Sequence, residues 1–314
     1  MYCGVVEGFY WTADYAIDGQ YGEFSTRSRE RLLEFMGEKG LNSYLYDPKI
    51  LRGDRYERAY DPSLIGSWKH TTSIAKTNNI RMVWGLAPGR HELWKDNMKG
   101  LLQTVERILQ NEFSGIALLF DDVPGGATET EMREQILLTN TLQKYCIITG
   151  FCPTTYHGKR EELEQSLLAK ALPQDIPLIF TGKNIWSSHV VAEDIPQYRS
   201  ATLWDNWMAA DSSDPKRLQL APPKRDAALL SGLHEYLLNL CFPVERVIPM
   251  VSAIGQLSKT GKCDLEIMAK DWAQYLHSPV QPLQKLIAAA PTAKYEYAAI
   301  CAMWPSLLPL FEQR

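Results

Sequence analysis

Short apolar runs recur along the chain, reading CGVVEGFY (3–10), LNSYLYDPK (41–49), IRMVWGLAP (80–88), SGIALLFDD (114–122), CIITGFCPT (146–154), IPLIFTG (176–182) and ATLWDNW (201–207). Between them apolar residues fall at helical spacing. The clearest case, Met98, Leu101, Leu102, Val105, Ile108 and Leu109, predicts an amphipathic helix with Asp96 as its N-cap. Similar helices are expected over 26–39, 130–144 and 225–236. Strands alternating with helices build a parallel sheet. An eighth strand falls on LLNL (237–240), followed by a helical pattern over 244–257. Eight such units in this length match a closed (β/α)8 barrel of the TIM type, in the α/β class. From about residue 265 the pattern turns irregular, with Pro279, Pro282, Pro291, Pro305 and Pro309 interrupting helix-like pieces. The expected organisation is a catalytic barrel over 1–262 and a short C-terminal helical region over 263–314.

Asp121 and Asp122 close the fourth apolar run. A buried strand cannot carry two unpaired acids into a core, because an isolated ionised carboxylate there costs several kcal/mol. The pair therefore belongs at a strand mouth, and Val123-Pro124-Gly125-Gly126 supplies the break that lets both acids leave the strand's alternation. Other runs also end in polar and aromatic groups: Glu7, Gly8, Phe9 and Tyr10; Tyr46, Asp47 and Lys49; Tyr156; Trp204, Asp205 and Asn206. In a barrel these ends converge on one rim, the face where ligands bind.

Composition narrows the chemistry. The formal charge is only −4, with acids and bases interspersed, so there is no electrostatic footprint for nucleic acid or an anionic membrane. A neutral substrate is expected. The six cysteines (Cys3, Cys146, Cys152, Cys241, Cys263, Cys301) contain no C-x-x-C, and the six histidines (His70, His91, His157, His189, His234, His277) have no ligand spacing. No metal and no cofactor are expected. An apolar strand ending in two acids also resembles a Walker B motif, but Gly255 to Lys262 has the wrong spacing for a phosphate loop and Cys263 stands where Ser or Thr is needed. The opening MYCGVVEGFYW has no basic leader and no apolar run reaches membrane-spanning length, so a cytoplasmic protein is expected, with its oligomeric state left open.

Acids, amides, a lysine and aromatic rings on one rim suit a polyhydroxylated neutral ligand, the rings stacking on a pyranose and the polar groups meeting its hydroxyls. Adjacent acids are poorly placed for the common retaining mechanism, where carboxyls on different strands stand about 5–5.5 Å apart across the bond. They suit a division of labour on one side of the sugar. One protonates the leaving oxygen; the other engages a neighbouring substituent, the 2-acetamido group, whose oxygen is the nucleophile.

The blocks GVVEGFY (4–10), LNSYLYDPK (41–49), ALLFDD (117–122), Gln135 through Asn140, FCPTTY (151–156), Thr181-Gly182, LWDN (203–206) and Arg225 through Asn239 together make the chain resemble glycoside hydrolase family 84, the β-N-acetylglucosaminidases that include the protein O-GlcNAcases. The resemblance implies a retaining exo-β-N-acetylglucosaminidase working through an oxazoline on β-GlcNAc glycosides or glycoproteins. It assigns Asp122 as general acid/base and Asp121 as the carboxylate that orients the acetamido N–H. A charged Asp121 would raise the pKa of Asp122 as an acid requires. By the same resemblance Tyr156 and Trp204 border the acetamido pocket, Tyr10 packs beside the sugar, and Gly8, Lys49, Asn206, Asp211 and Asn239 bind hydroxyls. The chain departs from the family at Trp11 and the insert through Tyr21, at Asp47 for the usual alanine, at Phe180 for the usual tryptophan, and at Ala221-Pro222-Pro223 for a Gly-Pro-Tyr segment. The reshaped rim leaves two alternatives: a glycan-binding barrel with impaired catalysis, or a hydrolase of a GlcNAc polysaccharide such as hyaluronan.

Overall fold

The computed structural model describes residues 1–8, 23–48, 60–121, 123, 128–159, 170–197, 199–209, 217–241, 243–289, 294–296, 302 and 305. Among these, β1 (Tyr2–Glu7), β2 (Ser43–Tyr46), β3 (Arg81–Leu86), β4 (Gly115–Leu119), β5 (Ile148–Cys152), β6 (Leu178–Phe180), β7 (Ala201–Asp205) and a strand over Glu235–Asn239 close into a parallel barrel. The remaining strands, β8 (Arg217–Gln219) and β10 (Lys294–Glu296), pair antiparallel outside it, so Glu235–Asn239 is β9 in chain order. Helices α1 (Thr26–Lys39), α2 (Lys69–Thr77), α3 (His91–Asp96), α4 (Met98–Gln110), α5 (Glu129–Leu142), α6 (Ala227–Gly232) and α7 (Val244–Thr260) are followed by α8 (Leu265–Leu276) and α9 (Val280–Ala289).

The strands' alternation divides the interior in two. Val6, Leu45, Val83, Leu119, Cys152, Ile179, Trp204 and Leu237 point inward and fill the barrel as one apolar cluster. Their neighbours Val5, Tyr44, Met82, Leu118, Phe151, Leu178, Leu203 and Tyr236 point outward and join the larger core beneath the helices. Helix α1 shows how a sequence pattern becomes that outer layer. Ser25 caps its start by accepting from the Ser28 N–H at 3.2 Å, Leu32, Leu33 and Met36 are buried, and Gly40 ends it in the left-handed region at φ 79.

Two expectations move. The helix expected over 225–236 is shortened to α6 because the chain re-enters the barrel at Glu235, before the LLNL run begins. The N-cap expected at Asp96 falls on Asn97, since Asp96 ends α3; the Asn97 side chain donates instead to the Leu93 carbonyl at 2.9 Å. After α7 the chain does not leave the core. The Trp272 indole on α8 is buried and donates to the Glu245 carbonyl at 2.8 Å, while Asp271 accepts from Ser252 Oγ at 2.6 Å and Lys39 Nζ at 2.7 Å. Among the described residues no helix is long and apolar enough to cross a membrane.

Gly4 faces Ser43 in the β1–β2 register, and a Cβ there would lie 1.7 Å from the Ser43 carbonyl oxygen. Backbone cannot retreat from such a clash without breaking the sheet. Gly4→Ala is expected to cost about 3 kcal/mol, measured by urea unfolding, the upper part of the usual overpacking range.

Candidate active site

The mouth of the barrel is assembled strand by strand at the carboxyl ends. On β4, Ala117 and Leu119 point inward, whereas Phe120 packs outward and donates its N–H to the Cys152 carbonyl at 2.9 Å. Asp121 follows on the inward phase, where the chain turns out of the strand, half-buried overall and with its Oδ1 atom buried. The expected partner acid Asp122 lies outside the described residues, as do Tyr10, Lys49 and Asp211.

On the opposite side three predicted residues form one network. The Trp204 indole can only donate, and it donates to Asn206 Oδ1 at 3.0 Å. That fixes the Asn206 amide, whose nitrogen donates to the Ile185 carbonyl at 2.9 Å. Asn239 at the end of β9 then donates its Nδ2 to the same Asn206 Oδ1 at 2.9 Å. Asn239 Oδ1 is left buried at the mouth, without a hydrogen-bond partner among the described residues. An orphaned acceptor in such a position is the kind of group a ligand hydroxyl satisfies. Tyr156 is half-buried against the inward cluster that contains Trp204, and its carbonyl accepts from the Thr181 N–H at 3.0 Å.

Two acids assigned to the rim by strand-end reading lie on the other face. Glu7 turns outward and is buried beneath α1, paired to Arg29 through Nε at 2.6 Å and Nη2 at 2.8 Å. It also accepts from the Phe24 N–H at 2.6 Å and from the Tyr44 hydroxyl. Burial alone would lower the Arg29 pKa, but the Glu7 carboxylate holds it above its ordinary value. Asp205 likewise turns outward. It accepts from Arg225 Nε at 2.8 Å and Nη2 at 2.9 Å, from the Tyr236 hydroxyl at 2.7 Å and from the Trp207 N–H at 3.0 Å. By alternation Asp205 anchors the turn, and Asn206 beyond it faces the mouth. Asp205 is thus a positioning residue for Asn206.

Gly8 and Asp47 meet at the mouths of β1 and β2. Asp47 follows Leu45 on the inward phase and is buried, and a Cβ on Gly8 would lie 3.1 Å from Asp47 Oδ2. On β3 a Cβ at Gly85 would come 2.9 Å from both Asp47 Cβ and Leu119 Cδ1. Two missing side chains therefore make the room that the Asp47 side chain takes. Phe180 is buried outward and does not reach the mouth. Trp11 lies outside the described residues.

One group with cation-ligand chemistry occurs among the described residues, His91, Glu92 and Glu131. Glu131 accepts from the His91 N–H at 2.9 Å and pairs with His91 Nδ1 at 2.6 Å, which fastens α3 to α5, the helix after the Asp121 turn. The strand-end reading missed the loop after β6. There Ile185 and Trp186 stand exposed, tied to the mouth by the Asn206 bond. Their apolar character in a turn-rich segment was the available signal.

The β-N-acetylglucosaminidase family model matches residues 3–259. Protein O-GlcNAcases from Rattus norvegicus and Mus musculus are each 27% identical over 267 residues, a match covering 76% of this chain and 28% of theirs. The chain thus spans less than a third of the length of these curated relatives. Among solved structures, a mutant O-GlcNAc hydrolase from Thermobaculum terrenum superimposes with a TM-score of 0.78 at 22% identity, covering 93% of this chain and 67% of that one. With the family's pattern running through every barrel strand, from Cys3 in β1 to Lys259 in α7, the chain belongs to the β-N-acetylglucosaminidases, a family of glycoside hydrolases.

Proposed function

We propose that the protein is an exo-acting β-N-acetylglucosaminidase that retains anomeric configuration by using its substrate's own acetamido group, removing β-linked GlcNAc from glycosides or glycoproteins. The observation that carries this reading is Asp121 on the inward phase of a barrel mouth that also holds the Trp204–Asn206–Asn239 network, in a chain whose family is established. In the first step the acetamido oxygen forms a bond to the anomeric carbon as the glycosidic C–O bond breaks. Asp122 gives its proton to the departing oxygen. Asp121 accepts a hydrogen bond from the acetamido N–H, which becomes more acidic as the oxazoline develops positive charge. In the second step Asp122 takes a proton from water, whose oxygen attacks the anomeric carbon and reopens the ring.

Tyr156 and Trp204 border the acetamido group in this reading. Asn206, Asn239, Gly8, Lys49 and Asp211 bind sugar hydroxyls, and Tyr10 packs beside the ring. The buried acceptor of Asn239 makes its part measurable. Asn239→Ala is expected to lower kcat/KM on an aryl β-GlcNAc by about ten- to a hundredfold, as for a lost buried hydrogen bond to substrate, with only a small fall in melting temperature from the lost Nδ2 bond to Asn206. Steady-state kinetics beside a thermal melt checks this.

The reading as a whole is tested by release of a chromogenic phenol from aryl β-GlcNAc, with the product sized. A single GlcNAc and no activity on aryl β-glucoside is expected; larger fragments would indicate an endo-acting polysaccharide hydrolase, and binding without turnover an inactive glycan-binding barrel. Cys3, Cys146 and Cys263 are free thiols, and burial pushes Cys3 up to about 12. They support placing the protein in a reducing compartment, the cytoplasm.

A further inference from the structure

We infer that Ile185 and Trp186 form a platform for the aglycone, receiving the apolar face of a ring attached to the GlcNAc that is cleaved. This rests on the glycosidase reading and adds the class of leaving group that the site favours. The two side chains are 46% and 43% exposed, on a loop directly continuous with the sugar-binding network through the 2.9 Å bond from Asn206 Nδ2 to the Ile185 carbonyl. Tyr145 and Ile147, also exposed, precede β5, at the end of the barrel away from the mouth.

The loop is built rather than slack. Thr181 Oγ1 and Ser187 Oγ both donate to the Asn184 carbonyl at 3.1 Å, and the Asn184 N–H returns a bond to Ser187 Oγ at 3.2 Å. Arg225, already held by Asp205, donates to the Ser187 carbonyl at 2.7 Å and the Ser188 carbonyl at 3.2 Å. Gly182 makes the turn at φ 97, and a side chain there would come 2.9 Å from Ser187 Oγ. One guanidinium thus fixes both the Asn206 turn and the loop that presents Trp186. An aromatic ring held in place loses little conformational freedom on binding, and its face suits the C–H face of a sugar or the face of an aryl group.

The test compares Trp186→Ala with the parent on methyl β-GlcNAc, 4-methylumbelliferyl β-GlcNAc and N,N′-diacetylchitobiose, taking the ratio of kcat/KM for each substrate so that leaving-group reactivity cancels. The expected ratio is a roughly tenfold loss on a ring-bearing aglycone and less than about twofold on the methyl glycoside. Loss on only one of the ring-bearing substrates identifies whether sugar or aryl rings are preferred. Trp186→Phe should restore most of the activity. Equal loss on all three substrates, or none on either ring-bearing one, overturns the proposal. Calorimetry in an Asp121→Asn background separates it from the hydrolase reading: Trp186→Ala should weaken diacetylchitobiose roughly tenfold and leave GlcNAc unchanged. Equal affinities with and without Trp186 would overturn the platform even where turnover is intact.

Discussion

Asp121→Asn is expected to fold normally and to lose about 10²–10³-fold in kcat on aryl β-GlcNAc, the magnitude of removing one preorganised group from a transition state. Asparagine fills the same space on the inward phase beyond Leu119 but cannot offer a full negative charge to an N–H that becomes cationic in character. Because that charge develops whatever the aglycone, the deficit should persist with good leaving groups such as dinitrophenol. Asp122→Asn should behave differently. A good leaving group needs no proton, so its first step should recover as the phenol becomes more acidic. Plotting rate against leaving-group pKa for both variants separates the two roles, and a melting curve confirms the fold.

Glu7→Ala is the substitution expected to cost most in stability, about 3–5 kcal/mol, because it leaves the Arg29 guanidinium buried without its carboxylate. Arg29 would keep the Phe24 carbonyl at 2.9 Å, the Trp68 ring at 4.5 Å and the partly exposed Glu23 carboxylate at 3.7 Å, which do not replace a buried bidentate partner. The double variant Glu7→Ala/Arg29→Leu should recover part of the loss, since an apolar pair no longer desolvates an ion. Urea unfolding of the set gives the coupling directly, and additive losses would show that the pair is not acting as a unit.

Most of the barrel was legible because its signal is redundant. Each strand carries several apolar positions at period two, and each long helix repeats its stripe over three turns, so an error at one residue leaves the element intact. The ends were harder to read. Asp96 and Asn97 are equally good caps by type, and the choice falls on how α3 stops. The three-residue strands β8 and β10 are too short to show any period, and they pair across a long stretch of sequence.

The candidate site divides along the same line. That polar groups gather at strand ends was visible; the face each one takes depends on a single-residue phase and on distant partners. Glu7 was assigned to the rim because Arg29, 22 residues on, could not be recognised as its partner, and Asp205 because Arg225 lies 20 residues on. Both acids are more informative as ion pairs: one fastens α1 to β1, the other holds the turn that aims Asn206. Asp47 illustrates the converse. Its inward phase follows from Leu45, but the space that admits it comes from the absence of side chains at Gly8 and Gly85 on neighbouring strands.

The most direct test of acetamido participation is a series of aryl 2-deoxy-2-acylamido-β-glucosides with mono-, di- and trifluoroacetyl groups replacing acetyl. Each fluorine withdraws electrons from the carbonyl oxygen while barely changing the leaving group. If that oxygen is the nucleophile, log kcat/KM falls steeply and linearly with fluorine content. A flat series at undiminished rate would mean that a side chain or water attacks the anomeric carbon, contradicting the roles given to Asp121 and Asp122.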